Sequence, residues 1–464
     1  MLTTLRRIAT LALLSTICLA AAQRQETATT NAIKIPIESY SLPNGLTVIL
    51  SPDHSTPTIA VAVWYHVGSK NETPGRTGFA HLFEHVMFTG SGHVAYGLHD
   101  KFTEGVGGSN NGTTSNDRTV YFETVPSNYL ETALWLESDR MGYLLDTLDI
   151  AKLNAQRDVV KNERRQSYDN QPYGRAPEII SQAMYPATHP YSWPVIGSMA
   201  DLSAASEDDV KNFFRSYYAP NNAFLSIVGD FDPSQAKAMA VKYFGEFSRA
   251  KPVQRPAAAP VTLSAEKRLV YEDRVQIPRL YLVWPTVGRD NDDRFALEVL
   301  DAITAGPRTA RLTKALVYDQ QAAATVGTSQ DSNENAGEFD VILTPRPGHS
   351  LTELEQSSDT ILERLKREGP TDEEIQRAVA GLELQFVSGL QSNLGKAMRF
   401  ADGAGIYGNA GQYQIDYAKS LAVTAADVKR VANKYLTRGR IVLSVVPISK
   451  ADQASKPEEN QPVK

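Results

Sequence analysis

The chain has 464 residues and a formal charge of −6, an acidic balance that argues against a nucleic-acid partner. Its single cysteine, Cys18, lies near the N-terminal end. A chain trimmed beyond it has no disulfide and no thiol nucleophile, so packed cores must hold it. The length accommodates about two to three domain-sized units.

Residues 1–22 read as a signal peptide. Arg6 and Arg7 form a positive start, Ile8 to Leu19 an apolar core, and Ala20-Ala21-Ala22 a small-residue cleavage site. The core is shorter than the roughly 20 apolar residues that a membrane span needs. The expectation is a periplasmic or secreted protein with no membrane span after cleavage.

Residues 33–250 form the first expected domain. Strand patterns occur at Gly45–Leu50, Ile59–Trp64 and Ala223–Val228, and helical patterns at Ser127–Leu145, Asp208–Tyr217 and Asp232–Phe247. Residues 251–262 hold Pro252, Pro256 and Pro260 and predict a stiff, extended linker. The second expected domain, 263–450, carries strand patterns at Leu280–Trp284 and Ile441–Val446 and helices at Asp372–Leu390 and Ala425–Tyr435. Ser127, Thr371 and Thr424 are candidate N-caps. The polar tail, 451–464, is expected to be disordered.

The two parts echo each other. Trp64 and Trp284 each end an apolar strand and are followed four positions later by glycine. Phe79-Ala80 through Gly90 matches Phe295-Ala296 through Gly306 at a constant offset. This pairing sets His81, Glu84 and His85 against Leu297, Leu300 and Asp301, so the second copy would keep a helix without its chemistry. The fold class expected is α+β, with two related halves, each a mostly antiparallel sheet covered by helices.

His81-Leu82-Phe83-Glu84-His85 carries the chemistry. Residues four apart share a helix face, so two imidazoles can reach one metal ion, with Glu84 beside them as general base. An exposed helix face with two histidines is the plainer reading. However, Leu82, Phe83, Val86 and Phe88 mark the helix as buried, and burying such polar groups without partners is costly. A third ligand must be an acid elsewhere. Composition alone makes Glu163, in a helical stretch anchored by Val159 and Val160, no more than a solvated surface acid.

Taken together, Gly78-Phe79-Ala80-His81-Leu82-Phe83-Glu84-His85 and Val159-Val160-Lys161-Asn162-Glu163 resemble the signature of the pitrilysin-like, or inverzincin, metallopeptidases. Gly107-Gly108-Ser109-Asn110-Asn111, His189-Pro190-Tyr191 and Asn221-Asn222-Ala223 extend the resemblance over residues 37–448. It implies one Zn2+ per chain held by His81, His85 and Glu163, with Glu84 as base. It also implies a peptide substrate bound as an added strand at a sheet edge.

Two departures stand out. Gln156 occupies a position where many active members carry a second glutamate. Val317 and Ala324 stand where complete single-chain members carry a substrate-holding Arg and Tyr; Arg311 and Tyr318 have the right spacing but are displaced. The chain is therefore similar to the short two-subunit type, as in the catalytic subunit of the mitochondrial processing peptidase. A homologous subunit without the zinc motif would supply the Arg/Tyr pair. The functional expectation is a zinc-dependent endopeptidase; the alternative is a non-catalytic scaffold or metal-binding subunit of an assembly.

Overall fold

The computed structural model describes residues 33–463 apart from 257 and 259; the expected signal peptide lies outside the described residues. The main body starts at Ile37. Its first half contributes β1 (Glu38–Ser41), β2 (Thr47–Pro52), β3 (Thr58–Tyr65), β4 (Ser109–Thr114), β5 (Thr119–Pro126) and β6 (Ala223–Gly229). The second half contributes β7 (Lys267–Asp273), β8 (Arg279–Thr286), β9 (Ala323–Ser332), β10 (Gly337–Pro345), β11 (Ile441–Pro447) and β12 (Gln461–Val463).

Among the described residues these form two six-stranded sheets, ordered β1-β2-β6-β3-β5-β4 and β12-β7-β11-β8-β10-β9. Each has a parallel pair at the same place, β2 with β6 and β7 with β11, followed by antiparallel neighbours out to β4 and β9. The shared order establishes the two related α+β halves. They differ at one edge: β1 runs antiparallel to β2, whereas β12 runs parallel to β7. The tail expected to be disordered therefore supplies an edge strand. Ser455, buried beneath it, donates its backbone N–H to Ser444 and its hydroxyl to Glu355.

Strand alternation corrects the pairing of the halves. Ile59, Val61, Val63 and Tyr65 face the core of the first half, which leaves Trp64 on the opposite face. In β8, Leu280, Leu282 and Trp284 are the residues that face the second core. The two tryptophans thus point to opposite sides of their sheets, and a one-residue shift in a strand exchanges every face. The helices show the same slip. Phe79, Leu82, Phe83 and Val86 pack in the first core, and Ala296, Val299, Leu300 and Ile303 in the second. By packing, His81, Glu84 and His85 correspond to Glu298, Asp301 and Ala302 rather than to Leu297, Leu300 and Asp301.

Each sheet needs cover on its second face, and each half provides it for the other. Helix Asn393–Tyr407 lies across β3 and β6. It meets a surface of small residues, Ala60, Ala62 and Ser226, all fully buried, and Gly405 sits directly against the Trp64 ring. In return, helix Ala176–Met184 places Ile179, Ile180 and Met184 against Leu269, Tyr281, Val283 and Leu443. A polar cluster joins the halves beside these helices. Lys70 bridges Asp117 and Glu334 at 3.2 and 2.7 Å, and Tyr191 donates to Asp117 at 2.6 Å.

The motif helix, Phe79–Val86, begins after Gly78, whose φ of 87° suits glycine. Glu72 caps it from outside the helix, accepting from the N–H groups of Gly78 and Ala80 at 2.9 Å each. The second site helix runs Ile150–Arg164, capped by Asp149. Val160 is fully buried in it but Val159 is 46% exposed, so only one of the two valines is an anchor. Arg164 supplies the rest, donating to the Gly197 carbonyl and to Glu178 at 2.8 Å each. Of the candidate caps, Thr371 and Thr424 form capping boxes, whereas Ser127 makes no cap because a 3₁₀ turn precedes Leu130–Thr147.

Two consequences can be measured. A Cβ at Gly405 would lie 2.3 Å from the Trp64 ring, so Gly405→Val is expected to destabilise the whole chain by about 1–3 kcal/mol through overpacking, read as a lower Tm. Glu72→Gln leaves the helix start with one good acceptor in place of two. It is expected to cost about 1 kcal/mol and to be visible as a lower Tm with the fold retained by circular dichroism.

Candidate metal centre

The two helices bring His81, His85 and Glu163 together. Glu163 Oε2 lies 3.2 Å from His85 Nε2 and 3.7 Å from His81 Nε2. The two imidazole centroids are 4.8 Å apart, steeply tilted. Nitrogen and oxygen ligands spaced tetrahedrally about zinc, at bonds of about 2.1 Å, stand roughly 3.4 Å from one another. The two measured separations straddle that value, so the donor set fits the ion. It also leaves a fourth position open.

The local electrostatics suit such a centre. Burial pulls the His81 imidazole down to about 4, which keeps its lone pair free at neutral pH. A hydrogen bond with His85 draws the Glu163 carboxyl below its ordinary value, against the opposing effect of burial. Glu84 behaves differently. Burial pushes its carboxyl up, with the Thr114 hydroxyl acting in the other direction. Its Oε2 is buried without a protein partner, leaving an acceptor of raised basicity beside the histidines.

The wall facing Glu84 is β4. A Cβ at Gly112 would lie 3.0 Å from Glu84 Cγ, so glycine keeps the space above the carboxylate clear. β4 ends its sheet, and its outer edge carries no strand partner among the described residues. Glu72, Thr114, Gly112 and Arg118 were not singled out from the sequence. The polar run Ser109–Thr114 followed by Ser115-Asn116-Asp117-Arg118 is the one local signal of a hairpin at the site.

Two other groups of ligand-type residues lie in the described structure. His99, Glu123 and Glu137 are fully enclosed, and Arg140 grips Glu137 through two N–H groups. Burial drives the Glu123 carboxyl well above its ordinary range, and both Glu123 oxygens and both His99 nitrogens are buried without a hydrogen-bond partner. Asp331, Glu338 and Asp340 form an all-oxygen group whose carboxyls are all raised by burial. The corresponding helix of the second half has no histidines. Its Asp301 receives a hydrogen bond from the Thr328 hydroxyl and is raised by burial.

Gln156 sits half-buried, two turns before Glu163 on the same helix. Arg311 makes a two-pronged pair with Glu374, both contacts 2.7 Å, and the Tyr318 ring lies under the Arg308 guanidinium at 4.4 Å. Val317 packs on the second core and Ala324 is exposed on β9. Among the described residues no helix is long and apolar enough to cross a membrane.

Comparison with known proteins agrees with this architecture. Residues 47–193 match the model described as Insulinase (Peptidase family M16), and residues 204–382 match the Peptidase M16 inactive domain. The chain is 30% identical over 403 residues to the zinc protease PqqE of Helicobacter pylori, covering 86% of this chain and 90% of that one. It is 24% identical over 436 residues to the mitochondrial-processing peptidase subunit beta of Lentinula edodes, covering 88% and 89%. The crystal structure of a protease from Helicobacter pylori superposes with a TM-score of 0.83 at 28% identity, covering 89% of this chain and all of that one. With two sheets in a common order, an HxxEH helix and relatives of this closeness, the chain belongs to peptidase family M16.

Proposed function

We propose that this chain is a zinc endopeptidase acting on extended peptides, exported by its N-terminal segment and working as the catalytic member of a two-chain assembly. The observation that carries the reading is the convergence of His81, His85 and Glu163 within 4.8 Å of one another, with Glu84 beside them. Zinc proteases among its relatives support the same metal and reaction class.

Bound zinc would polarise the scissile carbonyl and acidify a water. His81, His85 and Glu163 would hold it. Glu84, kept basic by burial, takes the proton of the attacking water and returns one to the leaving amine. The open edge of β4 holds the peptide backbone as an added strand, which orients the bond over Glu84 and lowers the barrier through positioning.

The division of labour rests on the second half. Arg311 is committed to Glu374, and Val317 and Ala324 stand at the positions expected to clamp substrate. A homologous subunit supplying an Arg and a Tyr would complete the site.

Glu84→Gln is expected to lower turnover of a quenched peptide by at least about a hundredfold while zinc content stays at one per chain. Glu163→Gln should instead lose zinc, and Gln156→Ala should lose less. Substantial turnover by zinc-loaded Glu84→Gln would remove Glu84 from its role. For the assembly, specific activity of the purified chain is measured against its own concentration and against an added homologue lacking the motif. Weak activity rescued by that homologue is expected; full activity in a dilute monomer would sink the two-chain reading.

A further inference from the structure

The hairpin that borders the site has a second face. Ser115 N–H donates to the Arg118 carbonyl at 2.8 Å, closing the turn, and Gly112 stands opposite Tyr121 in the ladder. Antiparallel alternation then points the backbone groups of Asn110, Gly112 and Thr114 outward, to the open edge. The Gly112 N–H has no strand to meet and is filled by the Asn111 side-chain oxygen at 2.8 Å. Gly112 and Thr114 face Glu84. Thr113 faces the other way, and the Arg118 guanidinium lies over it, donating to its carbonyl at 3.1 Å and to its hydroxyl.

On that far side Arg118 lines a cavity of about 500 Å³ together with Trp64, Arg289, Arg399 and Asp402. Arg289 and Asp402 are committed to each other at 2.8 and 3.0 Å. Asp117, the acid next to Arg118 in sequence, is taken by Lys70 and Tyr191. Among the described residues, no carboxylate lies within ion-pairing distance of Arg118 or Arg399. Asp416 is paired with Arg294 at 2.7 Å, and neither it nor the remaining acids of the cavity, Glu298 and Asp331, are among the charges that act most on Arg118, which are Asp402, Arg289, Glu84 and Asp117. A guanidinium without a carboxylate, half-buried in a cavity wall, is a ready two-pronged site for one.

We propose that Arg118 forms a side-chain subsite that selects an acidic residue, Asp or Glu, in a peptide bound along β4. This rests on the peptidase reading above. Successive side chains of an added strand alternate between faces. The residue opposite Gly112 turns its side chain toward Glu84, and its two neighbours turn theirs to the Arg118 side. An acid at one of those neighbouring positions meets the unpaired guanidinium while the backbone lies in reach of the metal centre.

The test compares three peptides identical but for Glu, Gln or Lys at one such position. Binding is read by fluorescence anisotropy on the full zinc-loaded chain carrying Glu84→Gln, and cleavage on the parent chain. The Glu peptide is expected to bind about tenfold more tightly than the Gln peptide, a typical contribution of one charge-assisted hydrogen bond. The Arg118→Glu variant should reverse the order in favour of Lys, a change that a merely structural role would not produce. Equal binding of all three peptides, or an unchanged order in Arg118→Glu, overturns the subsite. Glu-selective binding with no cleavage by the parent chain, either alone or with the added homologous subunit, would remove the peptidase reading and keep the subsite; cleavage without selectivity would do the opposite.

Discussion

A sheet of mixed strands whose two faces are both apolar or small has to be covered twice, and here neither half carries enough helix for both of its faces. The motif helix and its companions cover one face of the first sheet. Its other face, lined by Ala60, Ala62 and Ser226, accepts helix Asn393–Tyr407 of the second half at a separation that Gly405 makes possible against Trp64. Helix Ala176–Met184 returns the arrangement against Tyr281, Val283 and Leu443. Burial of apolar surface is the main favourable term in folding, and a large part of it lies in this exchange. The second half, which has no histidine pair on its equivalent helix, is therefore part of the core on which the candidate metal centre stands.

The same junction fixes the hairpin at the centre. Asp117 at the β4–β5 turn is held by Lys70 and Tyr191, and it accepts from the N–H of Glu334 at 2.8 Å. Burial opposes the charge of Glu334, but His66 and Lys70 outweigh it and hold the carboxyl down to about 2. These contacts tie the turn of the first half to a loop of the second. They set the position of Thr114 over Glu84 and of the open strand edge, so the geometry around Glu84 depends on residues more than 200 positions away in the chain.

The candidate metal centre was legible because its three-residue core is local: the spacing of His81, Glu84 and His85 is a property of one helix turn. Glu163 needed the family resemblance, since an acid among arginines has no local mark of its partner. Glu72 was missed for a different reason. It caps a helix from six residues upstream through a loop, and capping patterns in sequence look only three residues ahead. The duplication was legible as a repeat of elements but misaligned by one residue in both strand and helix, because identities such as Phe-Ala and Trp outweighed which side each residue faces. Val159 beside Val160 and the paired tail show the same limit. Local composition marks apolar and polar stretches, while the partner that covers or exposes them comes from the other end of the chain.

The reciprocal helices also bear on how such a protein can be divided. The proline-rich segment 251–262 looks like a place to separate two modules, but a cut there would strand each sheet with one bare face. Pieces made from separate genes would be aggregation-prone alone and would complement each other only when synthesised together. The connector acts less as a hinge than as a tether that raises the local concentration of two mutually dependent fragments.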